Sequence, residues 1–505
     1  MTAQPALERE VKLGVWPGFT LPELNGTLNG ATASAPAEQR LAAVYFDTPD
    51  LRLLRRGVTV RFRRGEEPGK VWTAKLPAQA PELGLARREI SVPGGAATMP
   101  QLLADLMRGW AFGAPLAPVA RLRTLRRRTT LRGPDLEPLV VVDDDEVSIV
   151  RGSRVAARFR ELEVELVDGA PSKLLAQLAE QLRVAGAQPV DQVPKLVRAL
   201  GPRALAPWDL AVPPLGSRPT AAELLRAGLV EAAARLVDHL AGVVLDEDRR
   251  GVHQARVGIR LLRSDLRTFA PLLDREAVDP LRRELRWLAD ELGEVRDLDV
   301  LLKRLRVDAE EMDAADRRGA EEVLAGFRER RRAAHEHLSS ALRTPRCAEL
   351  LEDTVRLVTA PPFASKKATR PASKMIPKLV RKPVRQLVRD ASRLEGTPDD
   401  AALHRVRIDV KRVRYASELA TSLAGKRARR SAKALARVQD VLGEHQDACN
   451  ALRRLRELGL GATPEAALAA GVLGGLQIAH AADSRERFPP VWDRAVAAKR
   501  WAWIG

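Results

Sequence analysis

Near the N-terminus, Glu8, Glu10 and Lys12 of EREVKL occupy alternate positions. On a strand they share one face, while Val11 and Leu13 take the other. The same alternation groups Arg61 with Arg63 in TVRFRR, exposes Lys75 in VWTAKL, and aligns Glu161, Glu163 and Glu165 in RELEVEL. One such strand fits a solvated outer face. Several strands, with acids on some and Arg or Lys on others, suggest a closed antiparallel sheet with a charged interior. Carboxylates in that interior suit hard cations such as Mg²⁺ or Mn²⁺. Arginines fork onto phosphate oxygens. This is equipment for phosphoryl transfer, where positioning and charge neutralisation supply most of the catalysis. The first 200 residues hold no cysteine or histidine, so covalent catalysis by those side chains is excluded there.

A second set of residues suits binding. His253, Arg256, Arg260, Arg263 and Arg267 fall within an arc of roughly 80° on a helix. His404, Arg407, Lys411 and Arg414 repeat the arc, with Glu418 at the position of Arg267. Solvated helix faces usually mix signs, because opposite charges at i, i+4 stabilise them. The first stripe holds no acid, so it needs either acids on a neighbouring helix or an external anion. Two such stripes lining a groove would hold a long, flexible polyanion. The segments LGEVRD and LGEHQD offer Glu294, Asp297, Glu444 and Asp447 as internal partners. His253 and His404 either cap and pack, or join the stripe and add a pH-dependent charge. Neither has a second histidine four residues away, which argues against zinc at those positions.

The elements that must position these residues change near residue 200. Before it, alternating runs such as EREVKL, GVTVRFRRG, KVWTAKL, RREISV, EPLVVVDDD and RFRELEVEL read as strands. MPQLLADLMRGWAF and PSKLLAQLAEQLRVAG read as helices. Residues 202–217 are proline-rich and predict a linker. Residues 218–505 have helical periodicity throughout and contain an internal repeat, about 218–360 and 374–505. The histidines are offset by 151 residues and the LGE segments by 150, so motif and spacing are kept together.

Composition narrows the partners. The 505-residue chain carries a net charge of +18 and a pI near 10.5, which attracts phosphate-rich partners. Aromatic content of 4% argues against single-strand nucleic-acid binding, where bases stack on aromatic platforms. Two cysteines, Cys347 and Cys449, make neither a disulfide framework nor a metal knuckle. No signal peptide or membrane span is evident, which points to a cytoplasmic protein.

The first 200 residues resemble the CYTH family, the triphosphate tunnel metalloenzymes. EREVKL, VYFDTPDLRLLRRGVTVRFRR, the lysine of VWTAKLP, RREI, ELEVEL and VPKLVRAL carry the resemblance. The second half resembles the CHAD family through both HxxRVxxR-type helices and both LGExxD segments. The resemblance implies an α+β chain. An N-terminal antiparallel eight-stranded β tunnel, residues 1–201, precedes an all-α domain of two repeated bundles. It implies that Glu8, Glu10, Glu89, Asp144, Glu161 and Glu163 serve a metal, Mg²⁺ or Mn²⁺. Lys12, Arg61, Arg63, Lys75, Arg128 and Lys195 would grip a triphosphate. Glu8, Glu10 and Lys12 would be catalytic. Arg126 competes with Arg128, Asp143 and Asp145 compete with Asp144, and Glu165 could share the role of Glu161.

For the helical half, the resemblance implies binding of inorganic polyphosphate by the two stripes, and a location at polyphosphate deposits. Hydrolysis of inorganic triphosphate or a related triphosphate, by a water activated by a bound cation, is the simplest expectation. A non-catalytic polyphosphate-binding protein and a CYTH-type adenylate cyclase are the alternatives.

Overall fold

Alternation of charged and apolar residues curls the N-terminal unit into an inside-out barrel. The structure is a computed structural model and describes residues 6–28, 30–66, 69–78, 85–247, 249–394, 398–497 and 501–504. The chain divides into two compact units, Met1–Asp209 and Leu210–Gly505.

The barrel strands are β1 (Ala6–Gly14), β3 (Ala37–Asp47), β4 (Thr59–Glu66), β5 (Gly69–Pro77), β6 (Leu85–Pro93), β7 (Ala117–Arg132), β8 (Pro138–Arg151) and β9 (Arg154–Leu166). They pair antiparallel in the order β1-β6-β5-β4-β3-β7-β8-β9, and β9 returns to β1. This closes an eight-stranded tunnel. Two short strands, β2 (Thr32–Ala33) and β10 (Gln188–Pro189), pair with β7 and β1 at its margins. β3 and β7 are not among the clearest strand runs of the sequence. β7 is so rich in arginine that its apolar alternation is lost, and its pairing with β3 and β8 defines it.

The other helices of this unit are α1 (Arg52–Arg55), α2 (Gln101–Ala111), α3 (Lys173–Val184) and α4 (Lys195–Leu200). The apolar faces of β1, β8 and β9 point outward. Val11, Leu13, Val140, Val142, Leu162 and Val164 form one core with Leu174, Leu178 and Leu182 of α3. Each such side chain contributes roughly 1.5–3 kcal/mol on full burial. Inside the barrel, Tyr45, Leu122, Val147 and Ile149 pack with Leu196 and Ala199 of α4. That helix fills part of the interior with apolar contact and carries Lys195 at its first residue.

The turn after β3 depends on one buried carboxylate. Asp47 accepts from the amides of Thr48 (2.7 Å), Leu53 (3.0 Å) and Leu54 (2.9 Å). Burial pushes its pKa up while those donors pull it down. Asp47→Ala strands these amides and is expected to cost about 2–3 kcal/mol, read as a lowered urea midpoint with an unchanged slope.

The second unit is helical: α5 (Ala221–Leu245), α6 (Arg250–Thr268), α7 (Arg275–Glu310), α8 (Ala314–Arg343), α9 (Pro345–Thr359), α10 (Ala372–Ala391), α11 (Asp400–Leu419), α12 (Thr421–Ala424), α13 (Lys426–Gly459) and α14 (Pro464–Val496). α6, α7 and α8 of the first repeat match α11, α13 and α14 of the second. Leu298, Leu302 and Leu305 of α7, Val323 and Phe327 of α8, Leu455 of α13 and Leu473 of α14 share one core across the repeats. Gly258 lets α6 lie directly on α5, since a Cβ there would come within 2.7 Å of the Leu236 amide nitrogen. That approach turns the opposite face of α6, with its arginines, away from the core. No helix among the described residues is long and apolar enough to cross a membrane.

Candidate active site and anion groove

The inward positions of the barrel strands enclose a cavity of about 390 Å³. Glu8, Lys12, Arg61, Arg63, Lys75, Glu89, Arg128, Glu163 and Lys195 all line it. Closure of β9 onto β1 sets Lys12 directly opposite Glu163. Lys12 is almost fully buried and bonds Glu163, with Glu10 at 3.5 Å and Glu161 at 3.8 Å. Lys195 reaches the same acids from α4, at 2.6 Å from Glu163, 2.9 Å from Asp145 and 3.1 Å from Glu161. Lys75 holds Glu8 (2.6 Å) and Glu89 (3.1 Å).

Burial alone would raise the pKa of Glu10, Glu89, Asp145 and Glu163, and the cations outweigh it. Glu10 stays ionised with its pKa lowered to about 2, because Lys12, Lys75 and Arg87 offset burial and the nearby charge of Glu163. Glu89 is likewise lowered to about 2, against burial, by Lys75 and Arg61. Their unfolded values are higher, so the stability they contribute is present above about pH 4.5 and is lost as pH falls toward 2.

Glu165 is the exception. It lines the cavity, and it makes no ion pair among the described residues. Burial first, then the charges of Glu8, Glu10 and Asp143, push its pKa up to about 7 against Lys75. A carboxylate with surplus negative neighbours and no cation of its own is where a bound cation would be favoured. Mg²⁺ and Mn²⁺ take oxygen donors, and Mg²⁺ characteristically uses one or two carboxylates plus water and substrate phosphate. Glu165 is therefore the lining carboxylate best able to offer an oxygen to such an ion, since Glu8 and Glu163 are engaged by Lys75 and by Lys12, Lys195 and Arg126.

Asp144, favoured on sequence as the tunnel acid, is corrected. Its carboxylate is clasped on the outer side by Arg160, at 2.8 and 2.7 Å. Strand alternation instead turns Asp143 and Asp145 inward. Arg128 grips Asp143 with two bonds of 2.7 Å, and Arg126 grips Asp145 at 2.8 and 2.7 Å. Arg126 and Arg128 thus both face the interior, with Arg126 the more buried. Glu161 is fully buried beneath Lys195 and Arg198, behind the cavity wall. Arg87, which bonds Glu10 at 2.6 Å, escaped the sequence reading. Its i, i+2 spacing to Glu89 was the available signal. Tyr45 also escaped it; its hydroxyl accepts from Arg61 at 3.2 Å.

In the helical unit the two stripes converge. Arg260 feels Arg256, Arg407 and Arg414, and Lys411 feels Arg407, Arg260 and Arg256. Arg260, Arg263, Arg267, Arg407 and Lys411 make no ion pair among the described residues. The LGExxD acids divide, with Asp297 and Asp447 beside the stripes and the two glutamates turned elsewhere. Glu294 bonds Arg454 (2.9 and 2.8 Å) and Glu444 bonds Arg487 (2.8 Å). Asp297 bonds the stripe residue Arg256 at 3.1 Å. Arg414 is held by Glu418 at 2.9 Å. His404 donates from Nδ1 to Gln446 at 2.6 Å. His253 is driven down to about pKa 4 by burial and by Arg296, Arg260 and Arg256, so it is neutral at pH 7 rather than a switch.

A closed tunnel with a charged bore, followed by a duplicated helical unit with facing basic stripes, defines a two-domain protein class. A CYTH domain model matches residues 6–197 and a CHAD domain model matches residues 227–456. An uncharacterised protein of Mycobacterium tuberculosis is 31% identical over 465 residues, spanning 87% of this chain and 86% of its own. The chain belongs to the CYTH–CHAD proteins. Its CYTH domain places it in the triphosphate tunnel metalloenzyme superfamily, whose hydrolase or cyclase activity depends on a divalent metal.

Among solved structures, the CHAD domain of the plant Ricinus communis is 28% identical, with a TM-score of 0.48, covering 57% of this chain and 96% of that one. A Hippeastrum protein described as a putative adenylyl cyclase with a dominant triphosphatase activity is 16% identical, with a TM-score of 0.24, covering 39% and 98%.

Proposed function

We propose that the tunnel hydrolyses inorganic triphosphate or a related triphosphate with Mg²⁺ or Mn²⁺, and that the helical unit binds inorganic polyphosphate. The observation that carries the first part is the division of labour in the bore: a cation-rich wall beside a buried carboxylate, Glu165, that makes no ion pair among the described residues. Glu165 would offer a carboxylate oxygen to the ion, which when bound supplies charge neutralisation and a more acidic water. Arg61, Arg63, Lys75, Arg126 and Arg128 would bind and orient the phosphate oxygens, where bidentate guanidinium contacts are strongest. Lys12 and Lys195 hold Glu163 in place. The cramped, partly plugged bore limits solvent around the anion and strengthens these contacts.

Convergence of Arg260, Arg407 and Lys411, which make no ion pair among the described residues, carries the second part, because a polyanion would relieve the repulsion that the nearby Asp447 only partly offsets. Association with polyphosphate deposits in the cytoplasm would follow from that affinity.

Two substitutions separate the inner face from the outer. Arg61→Ala is expected to lower phosphate release from inorganic triphosphate by about 100-fold, the scale for one lost charge-stabilising donor. Asp144→Asn is expected to lower the denaturation midpoint while leaving release within roughly threefold, since its buried ion pair with Arg160 lies outside the bore. Equal loss of activity in both would contradict the assignment of faces. Cyclic AMP formed from ATP would favour the cyclase alternative.

A further inference from the structure

We infer that Asp400, His445 and Cys449 of the second helical repeat form a binding site for a zinc-class divalent ion, separate from the tunnel. Among the described residues, these three offer the one group of His, Cys, Asp or Glu ligand atoms that all lie within 4.8 Å of one another. Cys449 Sγ stands 3.8 Å from His445 Nε2 and 3.5 Å from an Asp400 oxygen. His445 Nε2 stands 3.3 Å from the other Asp400 oxygen. Tetrahedral zinc, with Zn–S near 2.3 Å and Zn–N or Zn–O near 2.0 Å, spaces sulfur from nitrogen or oxygen by about 3.5 Å, and nitrogen from oxygen by about 3.3 Å. Each pair is near those separations, with the sulfur and the nitrogen facing different oxygens of Asp400, so a small carboxylate rotation would bring one oxygen to the ion. Thiolate, imidazole and carboxylate together select zinc-like ions over Mg²⁺.

The duplication shows that this set is not a by-product of the fold. At the equivalent positions, the first repeat has Val295 for His445, Asp299 for Cys449 and Arg249 for Asp400. There Arg249 and Asp299 make a plain ion pair at 3.4 Å, joined by Arg331 at 3.1 Å. The second repeat keeps an ion pair, Arg485 with Asp400, and adds His445 and Cys449 against that carboxylate. Of the three donors, His445 and Cys449 sit one turn apart on α13, and Asp400 begins α11.

His445 is buried and Cys449 is partly buried. The thiolate is the ligand form, so binding would release the Cys449 proton. Arg485 contacts Asp400 at 2.5 Å, and it would keep one carboxylate oxygen or swing to solvent. Three protein ligands leave a fourth position open, the arrangement of reactive rather than purely structural zinc sites. Asp400 also starts the helical row that continues through His404, Arg407 and Lys411, and binding a doubly charged ion with loss of the thiol proton would make this end of the groove one unit more positive.

The test is titration of the metal-free, full-length chain with Co²⁺, followed by its ultraviolet–visible spectrum. The expected result is a thiolate-to-cobalt charge-transfer band that saturates at one equivalent and is bleached by Zn²⁺. C449S and H445A should abolish it and C347S should retain it. Oxygen ligands in the tunnel give no such band, so the two sites are distinguished. Wild-type protein also serves without any substitution: Zn²⁺ should slow alkylation of Cys449, located by mass spectrometry, by at least about tenfold. Absence of the band, its persistence in C449S, or unprotected Cys449 would overturn the site.

Discussion

A Lys195→Met variant is expected to release phosphate from inorganic triphosphate at least about 100-fold more slowly than wild type, and to be destabilised as well. Lys195 enters the bore on α4 and meets Asp145, Glu161 and Glu163 at 2.9, 3.1 and 2.6 Å. Burial disfavours its charge, but these acids raise its pKa well above that of a free lysine. Methionine keeps the bulk and removes the charge. Breaking a buried ion pair from one side typically costs about 3–5 kcal/mol, because the partner charges are left uncompensated. Here the orphaned acids would repel both one another and the incoming triphosphate. Lys195→Arg preserves the charge but not the compact ammonium that three carboxylates surround, so partial recovery is expected. Full activity in Lys195→Met would remove α4 from the site.

The second large effect is on the groove. Polyphosphate affinity of the full chain is expected to fall as pH rises from about 7 to 9, by up to about tenfold per unit for one linked proton. Lys411 is the source. Burial, then Arg407, Arg260 and Arg256, lower its pKa to about 7. A bound polyanion would favour the charged ammonium, so binding takes up a proton and weakens at higher pH. Without ligand the sign is the reverse. Between pH 7 and about 10.4 the unfolded chain binds more protons at this lysine than the folded one does, so stability rises with pH in that window. Lys411→Arg should keep the affinity and flatten the pH profile. Lys411→Gln should flatten the profile and weaken binding throughout. A steep profile persisting in both variants would place the titrating group elsewhere.

Sequence was most legible where one strand face carried one kind of chemistry. Alternation in EREVKL and RELEVEL identified inward-facing charge before the barrel existed to define an interior. It could not resolve Asp143, Asp144 and Asp145, because three consecutive acids populate both faces. Only the pairing of β8 with β7, which sets Asp143 opposite Arg128 and Asp145 opposite Arg126, fixes the phase. Glu165 looked equivalent to Glu161 on sequence. The bore separates them, since α4 brings Lys195 and Arg198 to Glu161, whereas Glu165 makes no ion pair among the described residues. In the helical half the stripes were visible as spacing, but their convergence was not. The partners of Glu294 and Glu444 lie on distant turns and could not be assigned locally. The Asp400, His445 and Cys449 cluster was hidden for the same reason, since its members come from two helices.

The most direct test of the central claim is phosphate release from inorganic triphosphate by the wild-type full chain, with Mg²⁺ or Mn²⁺ and again after chelation. Release that requires the metal and is lost in Arg61→Ala and Lys195→Met is the expected result. No release with either metal across pH 6–9, or release indifferent to chelation and to both substitutions, would contradict a triphosphatase tunnel.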